Sequence, residues 1–203
     1  RDPASTSFVA AIESVEPFGW RLYDEAVRRG LFQAKRVVVL GDGAEWVKNT
    51  AQTHFPGAQF IIDYYHASEH VGEWSRALLD RNPEMAENCR GRWTDYLWDG
   101  RIEALIKEAT ALLPKDQSAK KDARTQIGYF KKNAGHMRYR DYREQHLFIG
   151  SGVVEAACRH LVGSRLKHSG MEWTVAGATN ILALRAVILS GRMEDYWEQR
   201  TTA

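Results

Sequence analysis

The sequence contains little cysteine and no long apolar run. Its 203 residues include two cysteines, Cys89 and Cys158, which belong to no C-x-x-C pair. We therefore expect free thiols in a reducing compartment, and neither a disulfide framework nor a thiolate zinc site. No apolar stretch approaches the length of a transmembrane helix, and the first thirty residues contain no signal-peptide core. These absences predict a cytoplasmic protein with no membrane partner.

A strong excess of charge is also missing. The formal net charge is +2, which says little about partners. Acidic residues predominate up to about residue 80 and cations predominate after it. With 44% apolar residues, the chain is long enough for one domain with a substantial core.

Two continuous apolar runs in the first third of the chain predict strands. "KRVVVLGDG" (35–43) is rich in β-branched residues and ends in a Gly-Asp-Gly turn, and "AQFIID" (58–63) is a second run of this kind. Strands that are apolar on both faces usually lie in a sheet covered by helices. "AEWVKNTAQTHF" (44–55) has helical spacing, so the three segments predict a parallel strand-helix-strand unit with strands at 36–41 and 58–62.

The remaining segments predict helices and one weaker strand. "SFVAAI" (7–12) has moderate strand character, and residues 19–31 carry apolar positions at helical spacing. Almost everything from His66 onward predicts helix. Breaks are expected at Asn82-Pro83, Gly100, Pro114 and Gly150-Ser151-Gly152. The predicted fold class is α/β but mostly α, divided into an α/β core at 1–80, a helical insertion at 81–146 and C-terminal helices at 147–203.

Both predicted strands end in aspartate, Asp42 and Asp63. Ligands and metals gather at the carboxyl ends of strands in open α/β sheets. A single aspartate after a strand is more often a turn former or a helix N-cap, and this interpretation stays open for each of them.

A second motif, "HASEH" (66–70), places His66 and His70 one helical turn apart with Glu69 between them. The order H-x-x-E-H is typical of inverted zinc peptidases, in which both imidazoles bind Zn²⁺ and the glutamate is the general base. Such enzymes also need a third carboxylate ligand on a second helix, and nothing downstream marks one. A zinc metallopeptidase is therefore the less favoured alternative.

Two later segments carry charge in patterns that suggest nucleic acid. In "GSGVVEAACRH" (150–160), Glu155 lies early in a predicted helix among apolar neighbours. The cations Arg159, Arg165 and Lys167 follow it at roughly helical spacing. An ordinary surface Glu–Arg pair would give the same pattern.

The segment 115–143 is the richest in cations, and it interleaves them with aromatic residues. The basic residues proposed to contact phosphates are Lys131, Lys132, Arg138 and Arg140; the aromatic residues that would stack on unpaired bases are Tyr129, Phe130, Tyr139 and Tyr142. A solvated basic helix surface is the alternative interpretation.

Four separated motifs together resemble a known family. "VVVLGDGAEWV", "HFPGAQFIIDYYHASEH", "GSGVVEAACRHLVGSRLKHSGMEWT" and "GATNILALRAVILSGRMEDYW" are similar to the C-terminal part of ISKra-type insertion-sequence transposases. The resemblance implies a DDE enzyme with an RNase H-like fold, of which this chain carries a partial core. It also implies Mg²⁺ or Mn²⁺ as cofactor, with Asp42 as the second catalytic aspartate and Glu155 as the catalytic glutamate, both of them metal ligands. Asp63 and His66 correspond to a supporting D-x-x-H element.

The same resemblance predicts the missing parts and the partners. The first catalytic aspartate is expected on a strand upstream of Arg1, with 7–12 as the third strand of the sheet, so the chain alone would be inactive. The partners would be transposon ends and target DNA, bound by a homo-oligomer associated with the nucleoid. A non-catalytic nucleic-acid-binding domain is the main alternative.

Overall fold

The computed structural model describes residues 5–115 and 120–201, which are mostly helical. Contacts group the described residues into two units. One, here called the strand unit, comprises 36–52 and 56–151; the other, the terminal unit, comprises 5–35, 53–55 and 152–201. The three-part division drawn from the sequence remains a prediction. Part of the basic segment, residues 116–119, lies outside the described residues.

The predicted strand-helix-strand unit is confirmed. Strands β1 (Val38–Gly41) and β2 (Gln59–Ile62) pair in parallel, with Val38 opposite Gln59 and Gly41 opposite Ile62. Helix α2 (Glu45–His54) connects them. Within the described residues the sheet has these two strands, so the fold is mostly α with a small α/β core.

The four breaks predicted from the sequence are confirmed, but a 3₁₀ turn at Ala134–His136 adds a break that the sequence does not predict. Five further α-helices belong to the strand unit. They are α3 (Tyr64–Leu78), α4 (Pro83–Trp98), α5 (Ile102–Ala111), α6 (Lys121–Asn133) and α7 (Tyr139–Glu144). Asn82 caps α4, because its side chain accepts a hydrogen bond of 3.1 Å from the Met85 amide and the following proline lacks an amide to satisfy. Gly100, at φ +70°, allows the tight turn between α4 and α5.

Aromatic side chains form the core of the strand unit. Trp74 stacks on Phe130 at 5.1 Å between ring centroids and lies 5.5 Å from Trp93, and none of the three is accessible to solvent. Burying one such side chain contributes on the order of 1.5–3 kcal/mol. Tyr139 and Tyr142 are buried in the same core. The prediction that Phe130, Tyr139 and Tyr142 stack on DNA bases is therefore wrong, because their faces pack against protein.

The terminal unit contains the remaining helices. They are α1 (Val15–Arg28), α8 (Gly152–Cys158), α9 (Ser164–Leu166), α10 (Val175–Leu189) and α11 (Met193–Thr201), with a 3₁₀ turn at Leu31–Gln33 and a π-helical turn at Arg159–Gly163. The helix predicted at 19–31 begins and ends earlier, and Gly30 follows it at φ +84°.

The predicted strand at 7–12 is absent from the terminal unit. These residues have no regular structure. A strand needs a neighbour to complete its hydrogen-bond ladder, and here the Phe8 amide instead donates to Ser190 Oγ at 2.9 Å, at the end of α10. Moderate strand propensity alone does not supply that neighbour.

Candidate active site at the strand ends

The carboxyl ends of β1 and β2 bring Asp42 and Asp63 next to each other. The strand register pairs Gly41 with Ile62, so each aspartate follows a paired residue directly. The Asp63 amide donates to the Gly41 carbonyl oxygen at 2.8 Å, which extends the ladder into the turn. Asp42 is exposed, whereas Asp63 is only 3% exposed. Neighbouring carboxylates thus occupy very different environments.

Both carboxylate oxygens of Asp63 are engaged by the backbone. Oδ1 accepts a hydrogen bond of 2.8 Å from the His66 amide and so caps α3. Oδ2 accepts a hydrogen bond from the Ser151 amide. Beside it, the Tyr64 amide donates to the Ile149 carbonyl oxygen at 2.8 Å. Asp63 therefore holds the start of α3 and the segment before α8 together, which is a supporting role.

Asp42 is engaged on one side only. Its Oδ1 accepts a hydrogen bond of 2.9 Å from the Ala44 amide, while Oδ2 makes no hydrogen bond to any described residue. Each flanking residue favours glycine for its own reason. A Cβ on Gly41 would lie 2.7 Å from Val47 Cγ1, and the backbone of Gly43 has φ +86°, a left-handed conformation that other residues rarely adopt. The Gly-Asp-Gly sequence is thus a tight turn that presents one carboxylate oxygen to solvent.

Tyr129 of α6 reaches the same turn. Its hydroxyl donates to the Asp42 carbonyl oxygen at 3.3 Å. Burial raises the pKa of the Tyr129 hydroxyl well above its usual value, and the negative charges of Asp42 and Asp63 raise it further. The hydroxyl therefore remains a protonated donor.

Helix α6 is held in place by two polar contacts with α2. Lys48 Nζ donates to Asn133 Oδ1, and Lys132 Nζ pairs with Glu45 Oε2 at 2.5 Å. These contacts fix the helix that carries Tyr129. The sequence does not reveal this role of Tyr129, because nothing local to a basic, aromatic segment indicates that it contacts a turn 87 residues earlier in the chain.

The two histidines of the HASEH motif face each other rather than the aspartates. His66 Nε2 lies 3.2 Å from His70 Nε2, and His70 Nδ1 lies 3.0 Å from Gln126 Oε1. His66 bonds to Asp63 through its backbone amide, while its side chain faces His70. Burial and the neighbouring His66 lower the pKa of His70, so its imidazole is held neutral.

The third predicted carboxylate lies in the terminal unit. Glu155 is exposed in the first turn of α8, and the π-helical turn that begins at Arg159 follows it. A π turn leaves carbonyl groups without their usual helical partners, and π turns are frequent at functional sites. Arg185, which the sequence did not single out, donates to the Leu161 carbonyl at 3.0 Å and to the His160 carbonyl.

The predicted DNA-binding cations fall into two groups. Lys132 pairs with Glu45, Arg138 with Glu103, and Arg140 with Glu144. The cations for which the described residues supply no ion pair are Lys131, Arg159, Arg165 and Lys167, all of them exposed. These ion pairs lie at the surface, where water and salt screen them, so a phosphate could replace the carboxylate partner.

The part of the chain that the structure describes contains no group of three or more His, Cys, Asp or Glu side chains arranged to hold a metal ion. Nor does it contain a helix of the length and apolarity needed to span a bilayer. Both cysteines are free thiols, Cys89 buried and Cys158 exposed.

Comparison with known protein families places most of the chain in one of them. The sequence model of the Uncharacterised protein family (UPF0236) matches residues 20–201. The chain belongs to this family. The matched range includes Asp42, Asp63, the HASEH motif and Glu155. No curated protein and no solved structure matches the chain.

Proposed function

We propose that this chain is part of the catalytic region of an insertion-sequence DDE transposase, of the ISKra type that its motifs resemble, and that it takes part in cutting and joining DNA strands. The observation that carries the proposal is the state of Asp42. It is an exposed aspartate at the end of a parallel strand, held through Oδ1 by the Ala44 amide, and its Oδ2 makes no hydrogen bond to a described residue. A catalytic metal ligand needs this combination of rigidity and a free oxygen.

The chemistry of the proposed ligands suits Mg²⁺ or Mn²⁺, which prefer carboxylate oxygens and water. Asp42 and Glu155 would each supply a carboxylate oxygen to these ions. When bound, two such ions activate the attacking water or 3′-hydroxyl and stabilise the leaving oxygen. Asp63 is unsuited to the same role, because backbone amides already occupy both of its oxygens.

The neighbours of Asp42 position it. Tyr129 donates to its backbone carbonyl, and the Asp63 amide continues the ladder beside it. Since the hydroxyl of Tyr129 stays protonated, it cannot act as a base at neutral pH, and its role is to hold the turn. His66 contributes its backbone amide to the same arrangement.

The partners proposed with this function are transposon ends and target DNA, bound by a homo-oligomer in the nucleoid. Exposed cations follow Glu155 directly, at Arg159, Arg165 and Lys167, where they would neutralise phosphates. A non-catalytic nucleic-acid-binding domain would use the same cations but would not need Asp42. A zinc peptidase needs a third protein ligand, and the described residues offer no such group.

The test is cleavage and strand transfer on DNA that carries the element's end sequence, with an intact transposase that contains this chain and with Mg²⁺. Asp42→Asn and Glu155→Gln should each lower the rate by at least about 100-fold, because each removes a charged metal ligand. Binding to the same DNA should be kept or strengthened, because each substitution removes negative charge near the phosphates.

The matched controls are Asp99→Asn and Glu84→Gln. Asp99 is exposed at the end of α4, and Glu84 is an exposed glutamate in the first turn of a helix, as Glu155 is. Both control variants should cleave at the wild-type rate. Undiminished cleavage by Glu155→Gln or Asp42→Asn would reject the assignment of that residue, and loss in all four variants would show that the effect is not specific to the site.

A further inference from the structure

The geometry of the HASEH helix points to a second cation site, and we propose that His66 and His70 together bind a divalent transition-metal cation such as Zn²⁺ through their Nε2 atoms. Water would complete the coordination. The site differs from a peptidase centre, which has three protein ligands, and from the proposed Mg²⁺ site, which uses carboxylates. It does not depend on the proposed transposase activity.

Hydrogen bonds fix the proton of His70 on the nitrogen that faces away from His66. The Gln126 side-chain nitrogen donates to Glu73 Oε2 at 3.2 Å, which sets the orientation of the amide. Gln126 Oε1 therefore faces His70 Nδ1 at 3.0 Å, and only an N–H can satisfy it. Glu73 Oε2, 3.5 Å from the same nitrogen, favours the same tautomer. His70 Nε2 is left with a bare lone pair.

That lone pair points at His66 Nε2, 3.2 Å away. In the absence of metal, His66 must place its proton on Nε2 and donate it to His70. When a cation binds between the two nitrogens, that proton leaves Nε2 and one is taken up at Nδ1, which lies 3.9 Å from Glu69 Oε2. Both imidazoles stay neutral, and no net proton is released.

The distance between the nitrogens suits zinc. With Zn–N bonds of about 2.05 Å, nitrogens 3.2 Å apart subtend about 103° at the metal, close to the tetrahedral angle of about 109°. Solvent can reach the pair, because the side chains of His66 and His70 are 38% and 22% exposed.

Neighbouring side chains of α6 fix the orientation of His70, as is usual for histidines that bind metals. Ligating histidines almost always donate their second ring N–H to a carboxylate, carbonyl or water, and His70 does so to Gln126. The ring of His70 also lies 4.3 Å from the ring of Tyr129, which limits its rotation. The site is thus preorganised on one side by α6.

The experiment is titration of the untagged chain with Zn²⁺ by calorimetry, in buffer with excess Mg²⁺. We expect one Zn²⁺ per chain that Mg²⁺ does not displace, since imidazole favours zinc and carboxylates favour magnesium. Gln126→Ala should weaken binding about 10- to 100-fold by releasing His70. His66→Ala and His70→Ala should weaken it further, since each removes a ligand.

The matched control is His168→Ala, which removes an exposed histidine of the terminal unit that bonds to the Ser164 carbonyl. It should bind Zn²⁺ as the wild type does. Zinc affinity unchanged in His66→Ala and His70→Ala, or reduced equally in His168→Ala, would overturn the proposal. Circular dichroism of the zinc-free variants identifies any variant that has lost its fold.

A second measurement avoids substitution altogether. In the ¹⁵N spectrum of the wild-type imidazoles, His66 should carry its proton on Nε2 without metal and on Nδ1 with Zn²⁺, while His70 keeps its proton on Nδ1. If the spectra of both rings are the same with and without saturating Zn²⁺, the pair is an ordinary hydrogen bond and the proposal is wrong.

Discussion

The two units of the molecule are packed very differently. The strand unit contains the whole aromatic core, with side chains such as Trp74, Trp93 and Phe130 inaccessible to solvent. The buried apolar side chains of the terminal unit are small or aliphatic: Leu161, Ala178, Leu182 and Ala186. Most of the exposed large apolar side chains lie in the terminal unit, among them Phe32 and Val175. Asp42 is thus carried by a well-packed scaffold, and Glu155 by a sparsely packed one.

Because of this difference in packing, the fold orients the carboxylates of Asp42 and Glu155 to different degrees. A carboxylate in a tight turn of a packed sheet has its direction set by the fold. A carboxylate on a seven-residue helix, with exposed neighbours on either side, has its direction set by little that the structure describes.

The largest effect is expected from paired phenylalanine truncations. Phe130→Ala should lower the free energy of unfolding by about 3–5 kcal/mol, because it empties a stacked, fully buried position. Phe32→Ala, at a side chain that is 72% exposed, should change it by less than about 0.5 kcal/mol. Urea denaturation followed by circular dichroism measures both. Similar losses of unfolding free energy in the two variants would contradict the difference in packing between the two units.

The next largest effect is a difference in the stability lost when each of the two neighbouring aspartates is replaced. Asp63→Ala removes the cap of α3 and leaves the Ser151 amide without its partner, so it should cost about 2–4 kcal/mol. Asp42→Ala removes one exposed hydrogen bond and should cost less than about 1 kcal/mol. The same denaturation experiment compares them, with Asp63→Asn as an intermediate that keeps one acceptor. An equal cost for Asp42→Ala would mean that Asp42 is also a structural residue.

A smaller effect is expected in the pH dependence of stability, through His136. Burial, and then the charge of Lys48, lower the pKa of His136 below its ordinary value of 6.5. The folded state therefore favours neutral His136, and its contribution to stability is present above pH 6.5 and is lost as the pH falls below that value. In metal-free buffer, His136→Gln should flatten the fall in stability below pH 6.5. A variant curve parallel to the wild type would contradict this.

The smallest effect compares two adjacent lysines in DNA binding. Lys132 is paired with Glu45, whereas the described residues give Lys131 no carboxylate partner. Lys131→Ala should reduce the slope of log affinity against log salt by about 0.9, and Lys132→Ala by less, because part of its charge is already neutralised. Binding should weaken for all DNA sequences alike. A larger change in slope for Lys132→Ala would show that DNA displaces Glu45.

The sequence predicts those features of the fold whose cause is local. The runs at 36–41 and 58–62 are apolar on both faces, so their pairing in a parallel sheet follows directly, although only Phe60, Ile61 and Ile62 are buried and β1 is half-buried. Asn82-Pro83 and Gly100 stop helices through their own backbone chemistry. The prediction of a strand at 7–12 was wrong, because a strand forms only where a neighbouring strand from elsewhere in the chain completes its hydrogen bonds.

The site residues show the same limit. Asp42 and Asp63 are predictable, because they follow strands. The different engagement of the two aspartates is not predictable, since it depends on Ser151, 88 residues away from Asp63. The contact between His70 and Gln126, 56 residues apart, is likewise a product of tertiary packing. The basic, aromatic pattern of α6 predicts stacking on DNA bases, whereas Phe130 and Tyr129 pack against the protein.

Metal rescue distinguishes Asp42, the proposed ligand of the catalytic metal, from Asp63, whose carboxylate oxygens are both occupied by backbone amides. Asp42→Cys should abolish DNA cleavage with Mg²⁺, which binds thiolate poorly, and should recover part of it with Mn²⁺, which accepts softer ligands more readily. Asp63→Cys, its matched control, should show no preference for Mn²⁺ beyond that of the wild type. Equal loss with both metals in Asp42→Cys, or rescue confined to Asp63→Cys, would contradict the account.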